Sequence, residues 1–396
     1  MPLSFDNTKI AFAHKSDREL KKAYRLFQTF GIPALVKYGP KLSNAALAIG
    51  LPIKGIIKKT IFAQFCGGET IDESHPSALE LYENGIGAIL DYSVEGEGSE
   101  DDFVATYEEL VNVIQESANR TEYPFAVFKC TGIGSFSMLQ ERSEAFKTNT
   151  PLDNTHPEYL AFKERMESLC SQAYNAKTKL LIDAEETWIQ DAIDDITYRM
   201  MAETNKEEAI VYNTIQLYRT GRLPEMEKRI QDARDGGYKI GFKLVRGAYM
   251  EKEANRAEEL DYENPMQPSK QACDNDYNAA LKLCFEHKDI VSICAGTHNE
   301  ESSALLADLI TAANINKNDE RFWFAQLYGM SDHISYNLAK EGFNVAKYLP
   351  YGPIKEVLPY LSRRAQENSS VKGQAGRELS LINKEIKRRK MSLKLK

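Results

Sequence analysis

Between Tyr348 and Arg364 the chain reads YLPYGPIKEVLPYLSRR, with Tyr348 and Tyr360 twelve residues apart and a doubled arginine at the end. A helix over 354–368 brings Tyr360, Arg363 and Arg364 within little more than a turn, so that all three can serve one ligand. The planar guanidinium fork grips a carboxylate through two parallel hydrogen bonds. Aromatic rings enclose an apolar body. The chemistry such a set performs is recognition of a small carboxylate with a nearly apolar frame. The alternative is an amphipathic helix with a solvated arginine pair, the common fate of charged side chains.

What must position these residues is a repeat of strand and helix. Apolar or β-rich runs at 88–93, 125–130, 179–183, 210–216, 240–246, 291–296, 322–327 and 344–349 read as eight strands. Helical patterns at 101–117, 187–202, 222–234, 273–287, 300–314 and 354–368 separate or follow them. Parallel strands with helical crossovers, repeated in this way, point to an α/β fold: a distorted (β/α)8 TIM-type barrel with an N-terminal helical region. An open doubly wound sheet is the competitor, but no GxGxxG follows an early strand. Polar residues stand at or just beyond seven strand ends: Lys129, Asp183, Gln216, Lys243 with Arg246, Thr297 with His298, Gln326, and Tyr348. In a barrel those ends converge on one face. Residues up to about 80 read as mostly helical, with breaks expected at 31–33, 39–40 and 50–52.

Composition excludes several classes. The formal charge of -8 gives no support to nucleic-acid binding, which needs a concentrated basic face. The 6 cysteines are scattered without a CxxC pair, so neither a metal site nor a disulfide framework is expected. No apolar run is long enough to span a membrane, and no secretory signal or transit peptide is visible. Two basic, amphiphilic stretches could lie on an anionic lipid surface: 33–65, and the tail from Lys384 to Lys396 with seven basic residues against one glutamate. A solvated helix and a frayed tail are the plainer readings of both.

The segments FKC around Lys129, LIDAEE at 181–186, TIQLY at 214–218, KLVRGAY at 243–249, GTHN at 296–299, QLYGM at 326–330, and YLPYG with PYLSRRAQEN at 359–368 resemble the proline dehydrogenase family in its monofunctional short form. They run in the expected order through 85–370, which the resemblance makes the catalytic domain. It leaves 1–84 as a helical N-terminal region and 371–396 as a basic C-terminal tail. The resemblance implies FAD-dependent oxidation of L-proline to 1-pyrroline-5-carboxylate, the first step of proline catabolism, with FAD held non-covalently at the strand ends. It places Arg363 and Arg364 on the substrate carboxylate. Tyr348, Tyr360, Tyr249 and Leu327 then surround the ring, with Lys129 and Asp183 beside the site, and Asp183 is expected to order an arginine or tyrosine or to cap the helix after AEETW. Cofactor contacts would fall on Gln216, Lys243, Val245, Gly247, Lys270, Thr297, His298, Gln326 and Glu367. Lys243 stands where other members have arginine and so lacks the fork.

Tyr348 favours unsubstituted proline, because related hydroxyproline dehydrogenases carry a smaller residue there. Hydroxyproline dehydrogenase is the nearest alternative activity, and an inactive metabolite-binding barrel the remote one. The resemblance further implies a membrane quinone as electron acceptor. With no spanning segment, the expectation is a cytoplasmic bacterial protein attached peripherally to the inner face of the cell membrane.

Overall fold

The computed structural model describes residues 3–49, 52–93, 98–370 and 374–394. Eight strands are present: β1 (Ile86–Tyr92), β2 (Phe125–Lys129), β3 (Lys179–Asp183), β4 (Val211–Gln216), β5 (Ile240–Val245), β6 (Val291–Gly296), β7 (Phe322–Leu327) and β8 (Val345–Tyr351). They follow one another in sequence order around a closed parallel barrel. β1 pairs with β8 from Ile86 opposite Val345 to Tyr92 opposite Tyr351. Strands covered on both faces read as apolar runs rather than alternations. β4, VYNTIQ, is buried along its whole length, and its polar side chains are tied down: Thr214 Oγ1 donates to Ile182 O at 2.7 Å, and Asn213 Nδ2 to Asp194 Oδ1 at 2.8 Å.

The principal helices before the barrel are α1 (Asp17–Phe30), α2 (Pro33–Ala48) and α3 (Ile71–Glu83). The crossovers carry α4 (Glu100–Asn119), α5 (Phe136–Thr148), α6 (Pro157–Ala176), α7 (Thr187–Thr204) and α8 (Arg222–Asp235). Then come α9 (Met250–Leu260), α10 (Lys270–Glu286), α11 (Glu300–Ala312) and α12 (Asp332–Lys340), with α13 (Ile354–Ser370) and α14 (Gln374–Lys394) after β8. α1 starts on a reciprocal cap, in which Ser16 Oγ accepts from Glu19 N–H and the Glu19 carboxylate accepts from Ser16 N–H at 2.7 Å.

Two expectations are corrected. α2 runs through Gly39 and Pro40 without the break read there; it packs against α13, and tertiary packing outweighs a local breaker. Of the break expected at 50–52, residues 50 and 51 lie outside the described residues. The stretch read as a frayed basic tail is helical through Lys394, with Leu395 and Lys396 outside the described residues. α14 buries Leu381 and Ile382 in one cluster with Phe12, Leu20 and Phe27. The fully buried Glu385 carboxylate accepts from Arg388 at 2.7 Å and from Arg389 at 2.8 Å, and Arg389 also donates to Phe12 O at 2.8 Å.

The chain divides into two compact units, 1–95 with 326–396, and 96–325. Among the described residues no helix is long and apolar enough to cross a membrane.

Candidate active site

In the unit 96–325, the ends of β2, β3 and β5 assemble a charged group. Lys129 and Asp183 are opposite one another as the last residues of paired strands. Lys243, four residues into β5 and 5% exposed, donates Nζ–H to Asp183 Oδ1, while Lys129 Nζ lies 3.8 Å from Oδ2. One carboxylate thus serves two lysines. Asp183 does not cap the following helix: Glu186 occupies that position, and its side chain makes no cap hydrogen bond.

Two residues further on, Glu185 ties three elements together. Its carboxylate accepts from Thr131 N–H at 3.0 Å and Thr131 Oγ1 at 2.5 Å. Its own N–H donates to Gln190 Oε1 at 2.8 Å. Its carbonyl accepts from Gln216 Nε2 at 2.5 Å. Burial pushes the Glu185 carboxyl up to about 7, against the opposing pull of the Thr131 hydrogen bonds. Because a carbonyl can only accept and a guanidinium can only donate, Gln216 is fixed end to end: Nε2 faces Glu185 O and Tyr218 Oη, and Oε1 faces Arg219 Nη1 at 3.2 Å.

Arg246, just past β5, is the member of this group that the sequence reading assigned no role. Its Nε donates to Asp274 at 2.8 Å, Nη1 to Thr297 Oγ1 at 2.5 Å and Nη2 to Ser302 Oγ at 2.6 Å, with the guanidinium 3.7 Å from the Tyr277 ring centroid. Its position within KLVRGAY at a strand end was the available signal. Thr297 is therefore held by Arg246, next to His298 in the half-buried loop after β6. Lys270 opens α10 with its side chain 75% exposed and pairs with Asp274 at 2.6 Å. After β5 the backbone turns left-handed at Gly247 (φ 28) and again at Tyr249 (φ 58). A tyrosine in that region is uncommon and carries a strain cost. Val245 ends β5 half-buried.

In the unit 1–95 with 326–396, α13 carries Tyr360, Arg363, Arg364 and Glu367 on its inner side. Tyr360 is 5% exposed, and both arginines are half-buried rather than solvated. Arg364 Nη2 donates to Glu367 Oε1, and its guanidinium lies 5.0 Å from the Tyr360 ring centroid. Burial raises the Glu367 carboxyl above its ordinary range, opposed by Arg364 and Arg363. Two buried polar atoms here lack a hydrogen-bond partner: Tyr360 Oη and Arg364 Nε. Buried donors left unpaired are costly, so this pair is poised for an acceptor. Tyr348 is buried in β8 and its carbonyl accepts from Tyr328 N–H at 2.8 Å. Gln326 at the end of β7 is buried, with Oε1 accepting from Ser335 Oγ at 2.8 Å, and Leu327 beside it is half-buried. Among the described residues no group of three or more His, Cys, Asp or Glu is arranged to hold a metal.

A closed eight-stranded parallel barrel with an arginine-bearing helix after its last strand defines a (β/α)8 architecture, and comparison with known proteins narrows it. The proline dehydrogenase family profile matches residues 75–377. Proline dehydrogenase 1, mitochondrial, of Dictyostelium discoideum is 31% identical, over 98% of this chain and 75% of its own length. Carbapenem antibiotics biosynthesis protein CarD of Pectobacterium carotovorum subsp. carotovorum is 34% identical, over 82% of this chain and 83% of its own. Hydroxyproline dehydrogenase of Xenopus laevis is 29% identical, over 98% and 90%. A solved structure of proline utilization A (PutA) from Bdellovibrio bacteriovorus, inactivated by N-propargylglycine, shares the fold with a TM-score of 0.71 at 19% identity, covering 92% of this chain and 38% of that longer one. The chain belongs to the proline dehydrogenase family, whose members are oxidoreductases.

Proposed function

We propose that this protein oxidises L-proline to 1-pyrroline-5-carboxylate with FAD as the two-electron acceptor. The observation that carries the substrate half is the pair of buried, unpartnered atoms on α13, Tyr360 Oη and Arg364 Nε. A carboxylate is the acceptor that both call for, and Arg363 supplies a second fork. Tyr348, Tyr360, Tyr249 and Leu327 offer the aromatic and aliphatic surface that desolvates a pyrrolidine ring.

The cofactor half rests on the donor set of the other unit. Lys243 and Arg246 are held in fixed hydrogen bonds, and Gln216 has its amide locked in one orientation. These residues fit a flavin dinucleotide. Lys243 and Gln216 would meet the ring system, Val245, Gly247 and Gln326 the backbone and wall around it, Thr297 and His298 the ribityl and phosphate region, and Lys270 and Glu367 the adenosine part. The flavin supplies the two-electron chemistry that no side chain provides. Lys243 adds positive charge without the bidentate geometry of arginine, and Asp183 with Lys129 keeps that ammonium in place. If proline binds as the neutral amine, its nitrogen lone pair assists departure of the hydride from the ring carbon and no side chain need act as acid or base.

The test is anaerobic titration of the FAD-loaded protein with L-proline. Bleaching of the flavin absorbance is expected, and a protein that binds no FAD ends this reading. Bulk at Tyr348 disfavours a 4-hydroxyl by steric exclusion. Faster bleaching by trans-4-hydroxy-L-proline would instead move the assignment to the activity named for the Xenopus relative. A quinone as the final acceptor, reached by peripheral attachment to a membrane, completes the proposal.

A further inference from the structure

The unit 1–95 with 326–396 contains a cleft of about 980 Å³ that none of the chemistry above uses. Its floor is a buried ion cluster. Lys347, 1% exposed, lies 2.8 Å from Asp332, and Lys15 reaches the same carboxylate at 3.1 Å. Two ammonium groups thus share one carboxylate, with the Glu80 carboxylate acting on Lys15 and His14 as well. His14 is stacked flat on Tyr336, ring centroids 4.0 Å apart, and its Nε2 lies 2.9 Å from Lys15 Nζ. An ammonium can only donate, so the shorter contact assigns Nε2 as acceptor and the ring proton to Nδ1, with Asp332 Oδ2 further off at 3.7 Å from Nε2. That Nδ1–H is buried and has no partner. Burial lowers the His14 pKa, which favours this neutral form.

The rim carries a row of cations. Arg18, Lys21, Lys22 and Arg25 project from the polar face of α1, are exposed, and form no ion pair among the described residues. Of the acids beside them, Asp17 is paired with Arg389 at 2.9 Å, whereas Glu19, which the Ser16 cap holds in its ionised form, and Glu80 offset part of the row. From Arg18 to Arg25 the cations span about 10 Å of helix, longer than one carboxylate or one phosphate. In a chain of net charge -8, a cleft lined in this way concentrates anions. Its volume accommodates a nucleotide-sized molecule.

We propose that this cleft binds an anion carrying two or more phosphate groups, with Lys15 and His14 as donors at the floor and Arg18, Lys21, Lys22 and Arg25 along the rim. The inference is independent of the proline chemistry. It is tested on the full chain by calorimetric titration with sodium tripolyphosphate and by flotation with vesicles containing phosphatidylinositol bisphosphate. Arg18→Gln with Lys22→Gln removes two rim charges at exposed positions, His14→Phe keeps the stack on Tyr336 while deleting Nδ1–H, and Lys282→Gln on α10 is the control. Tripolyphosphate should bind with Kd below about 1 mM at low salt, the rim variant about tenfold or more weaker, His14→Phe weaker by several fold, and the control unchanged. Soluble binding without flotation assigns the phosphates to a free metabolite, whereas flotation abolished in the rim variant assigns them to a lipid headgroup. Absence of both, or equal binding by the rim variant and the wild type, overturns the proposal.

Discussion

Arg364 and Tyr360 make separable contributions. Replacing Arg364 by Met removes one partner of a buried charge pair, an effect of about 2–5 kcal/mol. The proline concentration for half-maximal flavin reduction should therefore rise roughly 10²-fold, with FAD still bound, as read by anaerobic titration. Tyr360→Phe removes a hydroxyl that has no partner in the folded chain. It should leave the melting temperature equal or higher while weakening proline. Glu185 makes a pH prediction. Its folded pKa of about 7 is raised above the ordinary 4.5, so the folded chain binds the proton more tightly than the unfolded one. The stability it contributes is complete below about pH 4.5 and is lost as pH rises through 7, a change of roughly 3 kcal/mol. Asp194, raised to about 6 by burial, acts in the same direction. Urea unfolding between pH 5 and 8 should show this decline in the wild type and a shallower one in Glu185→Gln, which keeps the bonds to Thr131 without the charge.

At the scale of elements, the junction between β7 and α12 is a backbone constraint. Gly329 has φ 74, and a Cβ there would stand 1.8 Å from Gln64 O; its carbonyl accepts from Gln64 Nε2 at 2.8 Å. Gly329→Ala should cost more than about 2 kcal/mol in equilibrium unfolding, since both the left-handed backbone and the close approach oppose a side chain. The eight strands were legible because buried parallel strands are short apolar runs between turn residues, and the placing of Tyr360, Arg363 and Arg364 on one helix because their spacing fits it. α5, α6, α9 and α12 were not. α9, MEKEANRAEEL, is dominated by charge, and α12 is short and buried along most of its length, so neither presents a clean apolar stripe. Arg246 and Glu185 were within quoted motifs, but their roles depend on Thr297, Ser302 and Thr131, partners distant in sequence. The break expected at Gly39-Pro40 failed because local propensity yielded to packing.

For the whole molecule, lipid attachment now has an uneven basis. Arg377, Arg388 and Arg389 of α14 are engaged with Asp6, Glu385 and Asp17. α2, by contrast, exposes Leu35 at 50%, Tyr38 at 53% and Leu42 at 67% on one face. Surface attachment, if it serves the quinone step, should therefore run through 33–65. Leu35→Ser with Leu42→Ser should abolish flotation on anionic vesicles at low salt, and Lys387→Glu with Lys390→Glu should leave most of it. Equal flotation by the first variant would remove α2 from the account.

α14 rests on α1, with Arg389 on Asp17, and reaches the residues before it through Arg389 on the carbonyl of Phe12 and Arg377 on Asp6. For a chain emerging from the ribosome, this means that part of the α1 apolar stripe is covered only by residues more than three hundred positions later, although Phe27 and Phe30 meet Phe65 much sooner. Contacts of that sequence separation are slow to form. Until then the part of that stripe that α14 covers is exposed apolar surface of the kind that favours aggregation. The segment 98–325, whose strands pair among themselves, can gain structure well before it.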